Sequence, residues 1–551
     1  MRSDPHDVQD ESRPERVEAV GAADAAPPSG PSADGGAAGN QEVMPPVSSI
    51  SPHKLAVEIA ELLQQYPVRH GQRDDVHEVF IELPGTDDRK TWMSISDPRV
   101  ERHLRATGYE HFARGPTSTA IESVIDHIKG RGYALQAEPF ARRIHHTPDA
   151  IWLSLGPDSG LAVRISADGW SLEHGAPILF GHSPNAATWP SPAAGGSFDL
   201  LRPYLPNVSD EDWPALLGFV LCTFMAEGAM PILVLEGRHG TGKSMATEIL
   251  RMLVDPVTGL DARAALPEKT EDLYTVAQSS HLLTFDNLSI LPADTSDALC
   301  RLSTGMARQA RKLFSQGVVQ TVRARCAIVL NGISAGANRE DLLSRSIPLE
   351  LQKIPQELQR TEASLRKDFA RDLPKILGAL FDAVSAAIGN VGKTKVTSDC
   401  RLADAAVFAT AAEPQLGLAD GAIVSSWLRL QQGAHEEMGT ADPVASVLER
   451  LFRQESSESV IACTVAELVA RAVALERDGG APLPADFPRA ASKLGSHLKR
   501  HESTLMQAGF KVQRIRTARV RQILISRCEP AAKQARVAVT RSASSANGGA
   551  A

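Results

Sequence analysis

Two periodicities alternate along the chain. From Pro52, apolar residues at Leu55, Ala56, Ile59, Leu62 and Leu63 recur at helical spacing, and Thr117 to Arg131 repeats that pattern, with short strand-like runs between and after. Ala150–Leu155 and Gly160–Ser166, separated by Pro157-Asp-Ser-Gly160, predict a hairpin, with the next turn at Ala167-Asp-Gly-Trp170. Pro- and Gly-rich residues 184–197 read as a linker. From about 200 to 350, buried-strand runs alternate with helical ones, which predicts an α/β domain around a mainly parallel sheet. Leu349–Val391 and Leu402–Leu430, rich in Ala, Leu, Glu and Lys, predict helices. A last unit follows, with a helical pattern through Arg489–Arg500 and two strand runs, Gly509–Arg516 and Val520–Ile525, joined by a turn.

These boundaries divide the chain into a disordered tail at 1–48, an α+β accessory domain at 49–199, an α/β core at 200–352, a helical region at 353–438, a C-terminal domain at 439–528 and a second tail at 529–551. The first tail is Ala-, Pro-, Gly- and Ser-rich and almost lacks aromatics, so it cannot bury enough surface to offset the entropy of ordering.

Composition refines this picture. With 551 residues and 43% hydrophobic content, the chain has room for two to four cored domains. Its net charge of -8 conceals an acidic first fifty residues and a basic last seventy. The six cysteines (222, 300, 326, 400, 463 and 528) form no CxxC pair or Cys/His cluster, so a reduced cytoplasmic protein is expected. Ala215–Leu235 is nearly apolar, but Glu227, Gly228 and Pro231 interrupt it, so it reads as a buried helix leading into a strand rather than a membrane span. No secretory signal is seen at the N-terminus. The His145-His146 pair has no metal-ligand spacing and reads as surface or strand packing.

The chemistry concentrates after Pro231–Glu236. The octapeptide Gly237-Arg238-His239-Gly240-Thr241-Gly242-Lys243-Ser244 follows this strand pattern, and Met245–Val254 has apolar residues at helical spacing. Strand, glycine-rich loop and helix in that order make a phosphate-binding loop. Glycines let backbone amides converge on phosphates, Lys243 reaches the β- and γ-phosphates, and the Ser244 hydroxyl ligates Mg2+. ATP with Mg2+ is therefore the expected cofactor. About forty residues on, His281–Asp286 is an apolar strand ending in a carboxylate, which makes Asp286 the second expected Mg2+ residue. Cys326–Gly332 is another such strand, and Asn331 at its end is suited to sense the γ-phosphate and orient water. Of the two arginines in Arg339–Arg345, Arg345 is the better placed to reach a neighbouring subunit's nucleotide.

This set of strand ends, Phe285-Asp-Asn-Leu-Ser289, Leu330-Asn-Gly-Ile333 and Asp341-Leu-Leu-Ser-Arg345 behind the glycine-rich loop, resembles the superfamily 3 helicase-like AAA+ ATPases of phage and plasmid primase-helicases. The likeness spans about residues 140–430. It implies a P-loop AAA+ core, a homo-hexamer and an ATP-driven DNA motor. It also implies a DNA-gripping hairpin before the Asn331 strand. Residues 305–325 match that hairpin, with five basic side chains, no acidic ones and a Gln316-Gly317 turn, and Arg308, Arg311 and Lys312 are the DNA-contact positions. One departure stands out. Many relatives place Glu after the strand-end Asp to polarise the attacking water, whereas this chain has Asn287, which can orient water but cannot take its proton. Members with primase activity carry paired strand carboxylates and often a zinc motif, and neither is found here, so residues 49–199 read as accessory.

From Phe487 to Cys528 there are ten Lys or Arg residues and a single acidic one, Glu502. The segment resembles a winged helix. That likeness implies a recognition helix bearing Lys493, His497, Lys499 and Arg500, and a wing bearing Lys511, Arg514, Arg516 and Arg519. The expected protein is a DNA-associated, helicase- or translocase-like ATPase of a mobile element, acting on single-stranded or forked DNA. The alternative is an ATP-switched DNA-binding protein that does not unwind. A small-molecule kinase would share the loop chemistry but leaves the basic C-terminal segment unexplained.

Overall fold

A computed structural model describes residues 52–84, 90–112, 115–259, 264–288, 291–306, 308–311, 319–322, 324–332, 339–454, 460–477, 482–516, 521–528 and 537–541. The tail expected at 1–48 lies outside the described residues, as do Lys312, the Gln316-Gly317 turn and Arg519.

The protein is mixed α/β. Its N-terminal sheet runs Lys90–Ser94, Val76–Pro84, Val68–Arg73, Ala137–Ala141 and Leu179–Phe180. Helices Pro52–Leu62 and Ser118–Tyr133 pack on it through Ile59, Ile121, Val124 and Ile128, which meet Val79 and Ile81. A Cβ at Gly132 would come within 2.4 Å of the Val79 side chain, so a glycine is needed where the helix crosses the strand. The predicted hairpin forms strands Ile151–Ser154 and Leu161–Ser166, extended by Ile144–His146 and Gly169–His174 into a four-stranded antiparallel meander.

One face of the meander meets the N-terminal sheet, where Ala162 and Trp152 pack with Ala141 and Phe180, and the other turns away from it. Leu153, Val163 and Ile165 join one large core with helices Trp213–Cys222, Lys243–Val254 and Glu362–Val391, so the hydrophobic core runs through the boundary expected near 199. Trp170 Nε1 donates to Asp382 Oδ1 at 2.9 Å, and Ser385 Oγ donates to the Ser166 carbonyl at 2.6 Å. The segment read as a linker is bound to the same helix, with Ala193 N donating to the Pro374 carbonyl at 2.8 Å. A Cβ at Gly378 would lie 1.9 Å from the Ala193 carbonyl oxygen, and one at Gly196 would lie 1.8 Å from that of Lys375. Glycine there marks backbone-on-backbone packing rather than flexibility.

At the centre is a four-stranded, all-parallel sheet in the order Leu282–Leu288, Ala327–Gly332, Ile232–Glu236, Ser346–Glu350. Ala264 adds a parallel bridge to Phe285 at the outer edge. Ile232 and Val234 face one core and Leu233 and Leu235 the other, which is why the strand reads as a continuous apolar run. The first strand in sequence lies between the third and the fourth, so the connections diverge at its carboxyl end, the place where α/β sheets bind ligands.

Beyond the sheet the predicted helices form as Glu362–Val391, Ala403–Ala412 and Ala422–Ala441, whereas Leu349 and Glu350, expected to be helical, end the last sheet strand, and Thr394–Thr397 is a strand. This strand pairs antiparallel with Ala538–Arg541, inside the segment expected to be a second tail. Arg541 donates to Asp420 at 2.8 Å and to the Thr410 carbonyl at 3.0 Å, so these four residues are anchored. The C-terminal unit has its own core, built from Leu448, Leu451, Leu468, Leu494, Leu498 and Ile525. Its helices Pro443–Gln454, Val465–Arg477 and Ala491–Arg500 pack with an antiparallel sheet ordered Val460–Cys463, Arg521–Arg527, Phe510–Arg516. No described helix is long and apolar enough to cross a membrane.

Candidate nucleotide site and basic surfaces

The glycine-rich loop joins strand Ile232–Glu236 to helix Lys243–Val254. Gly237, Gly240 and Gly242 take φ of +148°, +79° and +80°, a region costly for other residues. At Gly237 a Cβ would also lie 2.9 Å from the Leu351 carbonyl, whereas at Gly240 it would meet nothing within 4 Å. The loop is braced from below by Asn207, whose Nδ2 donates to the Thr241 carbonyl at 2.6 Å. Lys243 Nζ folds back to donate to the carbonyls of Gly237 (2.7 Å) and Arg238 (3.0 Å). Burial pulls the Lys243 ammonium below its usual pKa, against the opposing pull of Asp286.

Asp286 is brought to this loop. The Ser244 Oγ donates to its Oδ1 at 3.2 Å. The strand register shifts between Phe285 and Leu288, a bulge that re-aims side chains next to the cavity. Within the bulge Asn287 has φ +60°, the left-handed region that Asn tolerates better than most residues. The amide N of Asn287 donates to Asn331 Oδ1 at 3.0 Å, and Asn331 Nδ2 donates to Thr247 Oγ1 at 2.7 Å. Asn331 is fully buried and couples the bulge to the helix behind the loop.

A cavity of about 340 Å3 opens here, lined by His239 to Met245, by Asp286, Asn287 and Asn331, and by Glu362. Sequence reasoning missed Asn207 and Glu362. Glu362 starts the long helix that Thr361 caps, and its carboxylate pairs with Arg366 at 2.7 Å. Arg366 also bonds Glu248 on the helix after the loop. No local signal marks Glu362, because only the packing of the long helix carries it to the cavity.

The other expected positions lie elsewhere. Arg345 immediately precedes strand Ser346–Glu350, at the amino edge of the sheet, and donates to Asp341 Oδ1 at 2.6 Å, so it does not enter the cavity of its own chain. Arg308 and Arg311 lie on a strand paired antiparallel with Val319–Val322. Lys493, Lys499, Arg500, Lys511 and Arg514 are exposed on the C-terminal unit, and Arg514 is 3.6 Å from Glu502. Arg516 ends its strand opposite Arg521. His497 is a correction to the expected recognition face. Its Nε2 is 2.8 Å from Asp442 Oδ2 and its ring stacks on His501 at 4.2 Å, because position 497 falls on the inward side of the helix with Leu494 and Leu498.

Fold and site together define a mixed α/β protein with a glycine-rich loop at the carboxyl edge of a parallel sheet and a separate basic C-terminal unit. Residues 205–425 match the family described as actinomycete integrative conjugative element replication protein, and residues 442–542 match the AICE RepA C-terminal domain. The two stretches span more than half of the chain, which belongs to this replication-protein family and so to the DNA-replication machinery of a mobile element. No curated protein matches. Among the solved structures similar to it are two apo A forms of the NrS-1 C-terminal region. The one covering 305–718 is 9% identical with a TM-score of 0.35, over 86% of this chain and 99% of that one. The other is 10% identical with the same TM-score, over 87% and 100%. Likeness of that degree supports no conclusion about this chain.

Proposed function

We propose that this replication protein is an ATP-driven DNA motor of the superfamily 3 helicase-like AAA+ type. The observation that carries the reading is one cavity uniting the glycine-rich loop, Lys243, the hydrogen-bonded pair Ser244–Asp286, and Asn331. The residues fit Mg2+ and ATP. Gly240 faces open space, the cavity volume is in the range of ligand sites, and a hydroxyl and a carboxylate already touch where a hard cation would sit. When bound, the nucleotide supplies the phosphoanhydride whose hydrolysis drives movement on DNA.

The chain's own groups divide the work. Lys243 and the loop amides hold phosphate, Ser244 and Asp286 hold the cation, and Asn331 orients water. Glu362 is the carboxylate on this cavity, other than Asp286, that can accept the proton Asn287 cannot. Arg345, remote from its own cavity, acts on a neighbouring subunit's site in a hexameric ring. The order of helix, strand, three helices and two strands in the C-terminal unit supports a winged-helix reading, in which its exposed Lys493, Lys499, Arg500, Lys511 and Arg514 meet DNA phosphates.

ATP turnover with and without single-stranded and forked DNA tests this reading, with Lys243→Ala as the blank. Stimulation by DNA in the wild type and none in the blank supports it, and intact turnover in Lys243→Ala refutes the site. Mixing Lys243→Ala with Arg345→Ala subunits is expected to restore part of the turnover, and no recovery at any ratio removes Arg345 from a shared site. Asn287 favours a second reading, an ATP-switched DNA-binding protein. That reading leads if nucleotide binds, turnover stays negligible and no strand is displaced.

A further inference from the structure

A second cavity, of about 380 Å3, lies at the amino edge of the parallel sheet, the edge opposite the glycine-rich loop. His281 and Arg325, just before strands Leu282–Leu288 and Ala327–Gly332, form one side. The N-terminal sheet and the start of the meander supply Arg73, Phe140, Arg142 and Arg143 on the other. Gly305 and Ala324, at the foot of the hairpin carrying Arg308 and Arg311, complete the wall, and Asp74 is the carboxylate on its lining.

Four guanidinium groups therefore share one small space. Arg143 is paired with Asp255 at 3.1 Å and Arg142 with Glu78 at 2.6 Å. Arg73 and Arg325 differ. Arg73 donates to the Gln278 carbonyl, and Arg325 donates to those of Gly228 (3.0 Å) and Met225 (2.7 Å). No ion pair within 4.0 Å joins either to a carboxylate among the described residues. A guanidinium carries five N–H donors in a fixed fork, so main-chain acceptors leave both the charge and part of the fork available. Phe140 holds the array in place, with Arg142 at 5.2 Å and Arg73 at 5.7 Å from its ring centroid. Burial pulls Arg73 and Arg325 below their usual pKa, and Arg142 pushes Arg73 further the same way, against the weaker opposing pull of Asp74 and Glu78 on Arg73 and of Glu227 on Arg325, so an anion here relieves a standing penalty.

We propose that Arg73 and Arg325 in this cavity grip a backbone phosphate of single-stranded DNA at the foot of the hairpin. Preorganised, partly dehydrated guanidinium forks match phosphate oxygens. The cavity sits away from the glycine-rich loop, which makes it a strand site rather than part of the nucleotide site. The inference rests on the DNA-binding part of the reading above and not on ATP hydrolysis.

The test is fluorescence anisotropy of an end-labelled oligothymidylate on the full chain, without nucleotide, across about 50 to 300 mM NaCl. Each phosphate contact on a single strand contributes about 0.7 to the slope of log affinity against log salt. The Arg73→Gln/Arg325→Gln variant is expected to lose about 0.7 of that slope, one phosphate's share, and on the order of ten-fold in affinity at moderate salt. Arg73→Lys/Arg325→Lys keeps both charges and is expected to retain most of the slope, which separates charge from misfolding. Slopes equal in wild type and the Gln variant overturn the proposal. If Lys499→Ala/Arg500→Ala abolishes binding at the same time, the cavity alone has failed and the DNA reading stands. If the wild type binds no oligonucleotide, both fall. Pyrophosphate is the second probe: if it stabilises the wild type against heating but not the Gln variant, while both bind DNA alike, the ligand is a free phosphate and the strand assignment is wrong.

Discussion

Asp255→Ala is expected to loosen the joint between the loop-bearing helix and the strand that delivers Asp286. Asp255 follows helix Lys243–Val254 and is buried with two arginines, its Oδ1 3.1 Å from Arg143 Nε and its Oδ2 3.4 Å from Arg251. Its Oδ2 also accepts from the backbone N–H of His281 (2.9 Å) and Leu282 (3.2 Å), the start of strand Leu282–Leu288. Burial alone would raise the Asp255 pKa, but the guanidinium groups of Arg251 and Arg143 outweigh it and hold the carboxyl at about 2. Removing the carboxylate strands two guanidiniums, with side chains only 3% and 7% exposed, and leaves two strand amides without their acceptor. Breaking a buried pair from one side costs about 3–5 kcal/mol. With a urea m-value of about 3 kcal/mol/M, the unfolding midpoint falls by about 1 to 2 M. Adding Arg143→Met to Asp255→Ala should cost less than the sum of the single changes, because the stranded charge is gone. A single-variant midpoint within about 0.3 M of wild type, or strict additivity, would refute the argument.

Two further predictions use the same geometry. Asn287→Glu installs the carboxylate expected from the resemblance, but at φ +60° it carries backbone strain of about 1–2 kcal/mol, so the melting temperature should fall while Asn287→Gly stays near wild type; an Asn287→Glu protein as stable as wild type contradicts that backbone reading. Burial lowers the His281 pKa to about 4, and its Nε2 is 2.8 Å from the Thr223 carbonyl, so the folded protein refuses a proton that the unfolded chain, near 6.5, accepts. This contribution is fully present above about pH 6.5 and is lost as pH falls towards 4, the loss amounting to about 2 kcal/mol by pH 5. His281→Gln should melt lower at pH 7.5 yet show a flatter dependence between pH 6.5 and 5, and a dependence as steep as the wild type's would exclude His281 as its source.

The position of the glycine-rich loop was legible because its pattern is local, eight consecutive residues between a strand and a helix. Asp286 and Asn331 were legible for a related reason, since a polar residue ending an apolar strand sits at the edge of a parallel sheet wherever the strand lies in it. The hairpin at Ile151–Ser166 announced itself through two apolar runs and a glycine turn. Residues 184–197 misled, because glycines that permit close backbone packing on helix Glu362–Val391 have the composition of a linker. Residues 538–541 misled likewise, since a four-residue strand pairing with Thr394–Thr397 leaves no periodicity to read.

What the sequence determined by itself was therefore whatever depends on near neighbours: most of the helices and strands, the glycine-rich loop between a strand and a helix, and the basic character of the C-terminal segment. The tertiary structure decided which groups from distant segments meet and which lose water. It set Glu362 on the cavity of the glycine-rich loop, turned His497 towards Asp442, left Arg345 outside its own chain's cavity, and gathered Arg73, Arg142, Arg143 and Arg325 around one space. The physical reason is that a charge's energy depends on its burial and on the partners packed against it, and both arise only when segments far apart in the chain come together.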